Sequence, residues 1–240
     1  MRNIKSKFSW KTFIKKISFL YLFSMLVYLI LDTSVRSFNI FRTFKYLTNH
    51  KKNFALSTSI LTGFLVFVLA IFNQIVPVLF VVLYGVVILA IANYLKIQWR
   101  GEPIVPSDLA MVKSFSDLFQ MVEWYYFALF IIATILLVYG VIKLRKKYHY
   151  TLFGQHRFGK RVRAAGLIVS FMFLSNVHNI HAEGNMIREL RTKVGFRYYK
   201  GSTLLSYQTN SFVLGFVDNF TGQAMEKPPV YSQKRVQQVL

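Results

Sequence analysis

NFALSTSILTGFLVFVLAIFNQIVPVLFVVLYGVVILAIANYL, residues 53–95, runs for 43 consecutive positions without Asp, Glu, Lys or Arg. As one α-helix at about 1.5 Å per residue it would be roughly twice as long as a bilayer core is thick. The stretch must therefore fold back. Asn73-Gln74 lies between its two apolar halves and Pro77 follows, which suits a tight polar turn near one membrane face. This is the pattern of a multi-pass membrane protein.

Outward from that pair the chain repeats the theme. Residues 17–31 are apolar and short, but Trp10 and Phe13 can extend them at the interface while Lys15 and Lys16 snorkel. A fourth span opens on Trp124-Tyr125-Tyr126, an aromatic belt, and a fifth covers residues 164–180. No span carries a charge in its middle. The fold class expected is all-α: a polytopic membrane bundle with five transmembrane helices near residues 13–32, 54–72, 75–94, 124–142 and 164–181.

Composition agrees. The chain is 54% hydrophobic and 17% aromatic, too apolar for an ordinary soluble domain of this size. Thirty basic residues face nine acidic ones, a net charge of +21. The charges flank apolar spans, so anionic lipid and the positive-inside bias account for them, and nucleic acid is not expected as a partner. There is no Cys, which excludes disulfides and thiolate chemistry. Residues 1–16 are basic and the next run is apolar, but its exit, LDTSVR, has no small-x-small cleavage site. It reads as a retained first helix.

With the N-terminus inside, the inner segments hold 14 basic residues and the outer loops 8. That places the N-terminus in the cytoplasm and, after five spans, the C-terminus outside. Arg36, Arg42, Lys45, Lys51 and Lys52 fall against the bias. Residues 1–183 then form a transmembrane domain. Residues 184–240, polar and basic with a Pro-Pro, read as an extracellular neck or linker without a core of its own.

The loop between the third and fourth spans reads NYLKIQWRGEPIVPSDL, residues 93–109. It gathers Lys96, Arg100, Glu102 and Asp108 near the outer surface. Pro103 and Pro106 stiffen it, and Gly101 permits an unusual backbone angle. Ser107 or Asp108 can cap a helix through residue 122. On that helix Val112, Phe115, Leu118, Phe119 and Val122 fall on one side, with Lys113, Ser116, Asp117 and Gln120 on the other, the pattern of a helix lying in the interface. One reading is a pocket for an anionic lipid head group, with Arg100 and Lys96 on the phosphate. The other is a rigid turn held by an Arg100–Glu102 or Arg100–Asp108 pair.

Other polar groups offer less. His178, His181 and Glu183 cluster where the fifth span ends and could touch a metal, but nothing supplies a convincing fourth ligand, and interfacial histidines explain them as well. Arg188, Arg191, Lys193, Arg197 and Lys200, with Tyr198 and Tyr199, form a basic run typical of a solvated or lipid-facing neck. The chain shows no Gly-rich phosphate loop, nucleophile elbow or carboxylate pair. Asp32 lies at the end of the first span rather than in its middle, and no charge sits at mid-membrane depth, so a transporter path is not indicated.

Residues 93–109 resemble the third-to-fourth helix loop of a branch of the lipoteichoic acid synthase family, glycerol-phosphate transferases of Gram-positive bacteria. NSFVLGFVDNF (residues 210–220) and MEKPPVYS (residues 225–232) resemble the neck that leads to the family's extracellular enzyme, although Ser211 and Pro229 depart from its pattern. The resemblance implies a sulfatase-like α/β domain after the neck, with a Thr nucleophile, a divalent metal (usually manganese) and phosphatidylglycerol as donor. None of those catalytic positions falls within residues 1–240, so no catalytic residue, metal ligand or cofactor is assigned to this chain. Two readings follow. One is the membrane-anchoring, lipid-presenting module of such a transferase, in the cell membrane. The other is a free-standing, non-enzymatic scaffold for cell-envelope assembly.

Overall fold

The computed structural model describes residues 9–110, 124–147, 150–153, 157–182, 184–197, 199 and 201–220. The regular structure among them is helical. In chain order the helices are α1 (Trp10–Val35), α2 (Ile40–Asn49), α3 (Lys51–Phe72), α4 (Ile75–Arg100), α5 (Pro106–Ala110), α6 (Trp124–Lys147), α7 (Arg157–His178), α8 (Met186–Lys193), α9 (Thr203–Asn210) and α10 (Phe212–Asp218).

Three of these, α1, α3 and α4, are long and apolar enough to cross a membrane, with 26, 22 and 26 residues. The first four expected spans lie within α1, α3, α4 and α6. The fifth falls on α7, which starts earlier, at Arg157, and stops at His178. The turn at Asn73-Gln74 is where the sequence puts it. Asn73 closes α3 in the left-handed conformation, φ 54°, which its short amide side chain tolerates.

α1 occupies the centre of the bundle. It packs against α3 on one side and α4 on the other, α7 packs on α3, and α6 on α4. The hairpin partners α3 and α4 touch each other less because α1 lies between them. Its inward face (Leu20, Ser24, Val27, Tyr28 and Leu31) recurs every three or four residues, while Phe19, Leu22 and Leu26 point outward. In lipid, apolar contact alone does not favour helix association, so small residues and hydrogen bonds must contribute. Thr62 donates to Ser24 at 3.0 Å, and Tyr84 and Thr134 share a 2.8 Å bond. Gly63 lets Phe173 of α7 come so close that a Cβ there would lie 2.6 Å from the ring.

At the end of the bundle where α1 begins, residues 150–153 plug the helix ends. Leu152 and Phe153 are buried in a cluster with Leu20, Leu65, Leu69 and Val78. Asn73 binds the Phe153 backbone twice, accepting from its N–H at 2.9 Å and donating to its carbonyl at 3.1 Å. Lys16 donates to the Thr151 carbonyl, and Arg163 Nε donates to the Ala70 carbonyl at 2.6 Å.

The opposite end differs from expectation. Residues 203–218 of the presumed neck are not a tether. Tyr207, Phe212, Leu214 and Val217 join Val27, Tyr28, Leu31 and Val35 of α1 in one apolar cluster. Among the described residues of this segment, those of 203–218 share the bundle's core. The physical reason is the alternation of small and aromatic groups. Gly215 lets the Tyr207 ring lie against the α10 backbone, so α9 and α10 close on each other and present one apolar face to α1.

Candidate functional site

A buried network of polar groups lies where α1, α2, α3 and α10 meet. Asp32 and Arg36 stand one helical turn apart at the end of α1, so their side chains share a face. Asp32 Oδ2 accepts from Arg36 at 2.7 Å, and Asp32 Oδ1 accepts the backbone N–H of Phe212 at 3.2 Å. The acid is fully buried and the Arg36 side chain only 8% exposed. The guanidinium also donates to the carbonyls of Asp32 at 3.2 Å and Gln208 at 2.8 Å, and lies 3.9 Å from the Tyr46 ring centroid.

Around this pair the bonds run outward. Tyr46 donates to the Thr209 carbonyl at 2.8 Å, accepts from Asn53 at 3.4 Å and stacks on His50. Burial pushes the Tyr46 phenol up to about 12. Ser57 and Ser211 share a 3.0 Å bond. Ser211 itself has φ 87° and ψ 159°, a region that glycine normally occupies, and it caps α10 by accepting from the Leu214 N–H.

Chemically this is a lock. Both Asp32 oxygens accept a bond, and three such bonds from the Arg36 guanidinium go to a carboxylate and two carbonyls of the protein itself. Each bond across the junction fixes residues 208–212 to the first three helices. Breaking one partner of so buried a pair costs about 3–5 kcal/mol.

The loop at residues 93–108 is sewn to the same end. Lys96 donates to Asp108 at 2.6 Å and to the Pro103 carbonyl at 3.0 Å. Asp108 also accepts the Val105 N–H at 2.7 Å. Asn93, buried in α4, accepts from the Ile104 N–H and donates to Ser34 of α1, both at 2.8 Å. Tyr207 donates to the Ile104 carbonyl at 2.9 Å, and burial, with Asp108 and Asp218 contributing, raises its phenol above the ordinary range. Gly101 closes α4 at φ 68°.

Of the four loop residues singled out in the sequence, the structure thus brings together Lys96 and Asp108. Arg100 and Glu102 stand exposed on the surface, and neither makes an ion pair among the described residues. Neither the Arg100–Glu102 nor the Arg100–Asp108 pair offered by the sequence is present among the described ion pairs; Lys96, one turn earlier on α4, holds Asp108 instead. Val112, Phe115 and Phe119, on the expected interfacial helix, lie outside the described residues.

His178 and His181 are separated by their roles. His178 packs on Phe220, while His181 bonds to the Asp218 carbonyl at 2.9 Å and lies 3.5 Å from its carboxylate, which Arg191 also holds. Glu183 lies outside the described residues, and among those described no group of three His, Asp or Glu could hold a metal. Within the basic run, Arg191 pairs with Asp218 and Arg188 donates to the His181 carbonyl. The junction partners Phe212, Gln208 and Thr209 went unnoticed in the sequence because they bond through the backbone. The Asp32–Arg36 spacing was the available signal.

Comparison with protein-family models, curated proteins and solved structures returns no match for this chain.

Proposed function

We propose that the chain is the membrane-anchoring and orienting module of a lipoteichoic acid synthase-like glycerol-phosphate transferase. It would span the membrane five times through α1, α3, α4, α6 and α7, with the N-terminus in the cytoplasm and the C-terminus outside, in the cell membrane of a Gram-positive bacterium. The observation that carries this reading is the Asp32–Arg36 lock on Phe212 and Gln208. It holds the stretch resembling the family's neck rigidly on the first helix, which is what an enzyme needs if its site is to stay at a fixed height above its lipid substrate. A free tether would not give that orientation.

In this reading the nucleophile, the manganese-type metal and turnover of phosphatidylglycerol belong to a sulfatase-like extracellular domain joined to the neck. Residues 1–240 contribute placement and contact with anionic phospholipid.

The native reading frame beyond Leu240 decides the matter. An in-frame sulfatase-like domain is the expected result. A stop codon immediately after Leu240 would overturn the transferase reading in favour of the free-standing scaffold.

A further inference from the structure

α2 presents three sides, and one of them faces no protein among the described residues. Thr43, Tyr46 and Leu47 turn toward the bundle: Thr43 and Tyr46 are buried and Leu47 packs against the main core. Ile40, Phe41 and Phe44 share a second side and are 60%, 89% and 55% exposed. Arg42, Lys45 and Asn49, at helical spacing, form the third, and all three are exposed. A phenylalanine at 89% exposure is costly in water, and three such side chains together form a patch that needs a cover.

The chain connections say where that patch lies. Residues 36–39 join α1 to α2, with Ser37 and Phe38 both in the left-handed region, and His50 alone separates α2 from α3. α2 is therefore held where two membrane-length helices end. Phe38 packs on Tyr94 of α4 at 5.2 Å, and Trp99, five residues further along α4, is 73% exposed, so α4 also carries exposed aromatic surface near this end. Charge points the same way. From Thr33 to Gly101 the sequence has no Asp or Glu, and Arg42, Lys45, Lys51 and Lys52 make no ion pair among the described residues.

We propose that α2 is an interfacial lipid-binding helix. Ile40, Phe41 and Phe44 sit among the acyl chains of the adjoining leaflet, and Arg42 and Lys45 bind the phosphates of anionic phospholipid. An amphipathic helix with aromatic and aliphatic groups on one side and cations beside them is the form such binding takes. The inference rests on α1 and α3 crossing the membrane. It does not need the transferase reading.

The absence of native Cys permits a direct test. Single-cysteine variants Leu22→Cys, Phe41→Cys, Phe44→Cys, Lys45→Cys and Asn49→Cys of the whole chain are spin-labelled. They are then reconstituted in vesicles of equal parts phosphatidylcholine and phosphatidylglycerol. Collision with oxygen, which partitions into lipid, is compared with collision with a water-soluble nickel chelate. Positions 22, 41 and 44 should favour oxygen, and positions 45 and 49 nickel. Nickel access at 41 and 44 with oxygen access at 22 would overturn the inference alone. Shielding of 41 and 44 from both reagents would overturn it too, by showing that protein covers the patch, whether a second copy or another segment. Nickel access at 22 would remove the membrane reading itself.

The head-group half is read separately. Removing both charges in an Arg42→Gln, Lys45→Gln variant should reduce the phosphatidylglycerol excess retained by the purified protein by about twenty-five-fold, since each surface cation is worth about fivefold. Unchanged retention would overturn the phosphate assignment.

Discussion

Asp32 and Phe212 are 180 positions apart in the chain, yet the carboxylate of one accepts the backbone N–H of the other at 3.2 Å. That N–H opens α10, and a helix start leaves its first donors without partners inside the helix. A carboxylate is well suited there, because it accepts the bond and lies at the positive end of the peptide dipoles. The same acid is paired with Arg36, so one buried residue couples the first described helix to the last described one.

This coupling predicts an asymmetry between single and double substitution. Arg36→Met should destabilise the protein by about 3–5 kcal/mol, because it leaves the buried Asp32 carboxyl without its partner. Adding Asp32→Asn should recover a large part of that loss, since the two effects are not additive within one bonded pair. Thermal unfolding in detergent measures both. A double variant as unstable as the sum of the singles would contradict the lock.

Ser211 sets a second expectation. Its backbone strain is worth about 1–3 kcal/mol, and it is held by bonds to Ser57 and to the Leu214 N–H. Ser211→Gly relieves the strain while losing those bonds, so its melting temperature should stay close to that of the parent. Ser211→Ala keeps the strain and loses the bonds, and should melt clearly lower.

In the loop, Asp108 should matter for folding and Arg100 should not. Asp108→Ala removes the partner of Lys96 and of the Val105 N–H, a loss of roughly 1–3 kcal/mol. Arg100→Ala touches no ion pair among the described residues and should change stability by no more than about 0.5 kcal/mol. Parallel melts of the two variants check this. If Arg100→Ala also weakens lipid retention while leaving the melt unchanged, its charge serves binding.

Tyr46 gives a pH dependence with a definite sign. The free phenol titrates near 10, and burial raises it in the folded protein to about 12. The folded state therefore holds its proton where the unfolded chain has lost it. The contribution is complete below about pH 10 and is lost as pH rises from there through about 12. Stability measured across that window should fall more steeply in the parent than in Tyr46→Phe. Equal slopes would show that the phenol is not buried as described.

Topology is accessible to cysteine scanning against a background without native thiols. Ser107 and Lys147 are both exposed. An impermeant reagent added to intact cells should label Ser107→Cys and spare Lys147→Cys. The reverse pattern would invert the orientation.

The sequence determined what depends on short-range order. Forty-three uncharged residues cannot stay in water, and a helix is the way to satisfy their backbone in lipid, so α3, α4 and the turn at Asn73-Gln74 were legible directly. So was Gly101, whose left-handed angle is a local property. The bonding partners were not. Asp32 with Phe212, Tyr207 with Ile104 and Lys96 in place of Arg100 on Asp108 depend on which backbone groups arrive opposite one another once the helices pack. Nor was α2 visible as an interfacial helix, since burial of Thr43 and Tyr46 divides it into three sides and blurs the two-sided pattern that marks such helices in sequence. Hydropathy is summed along the chain, whereas a hydrogen bond is decided across it, by distances that only the packed structure sets.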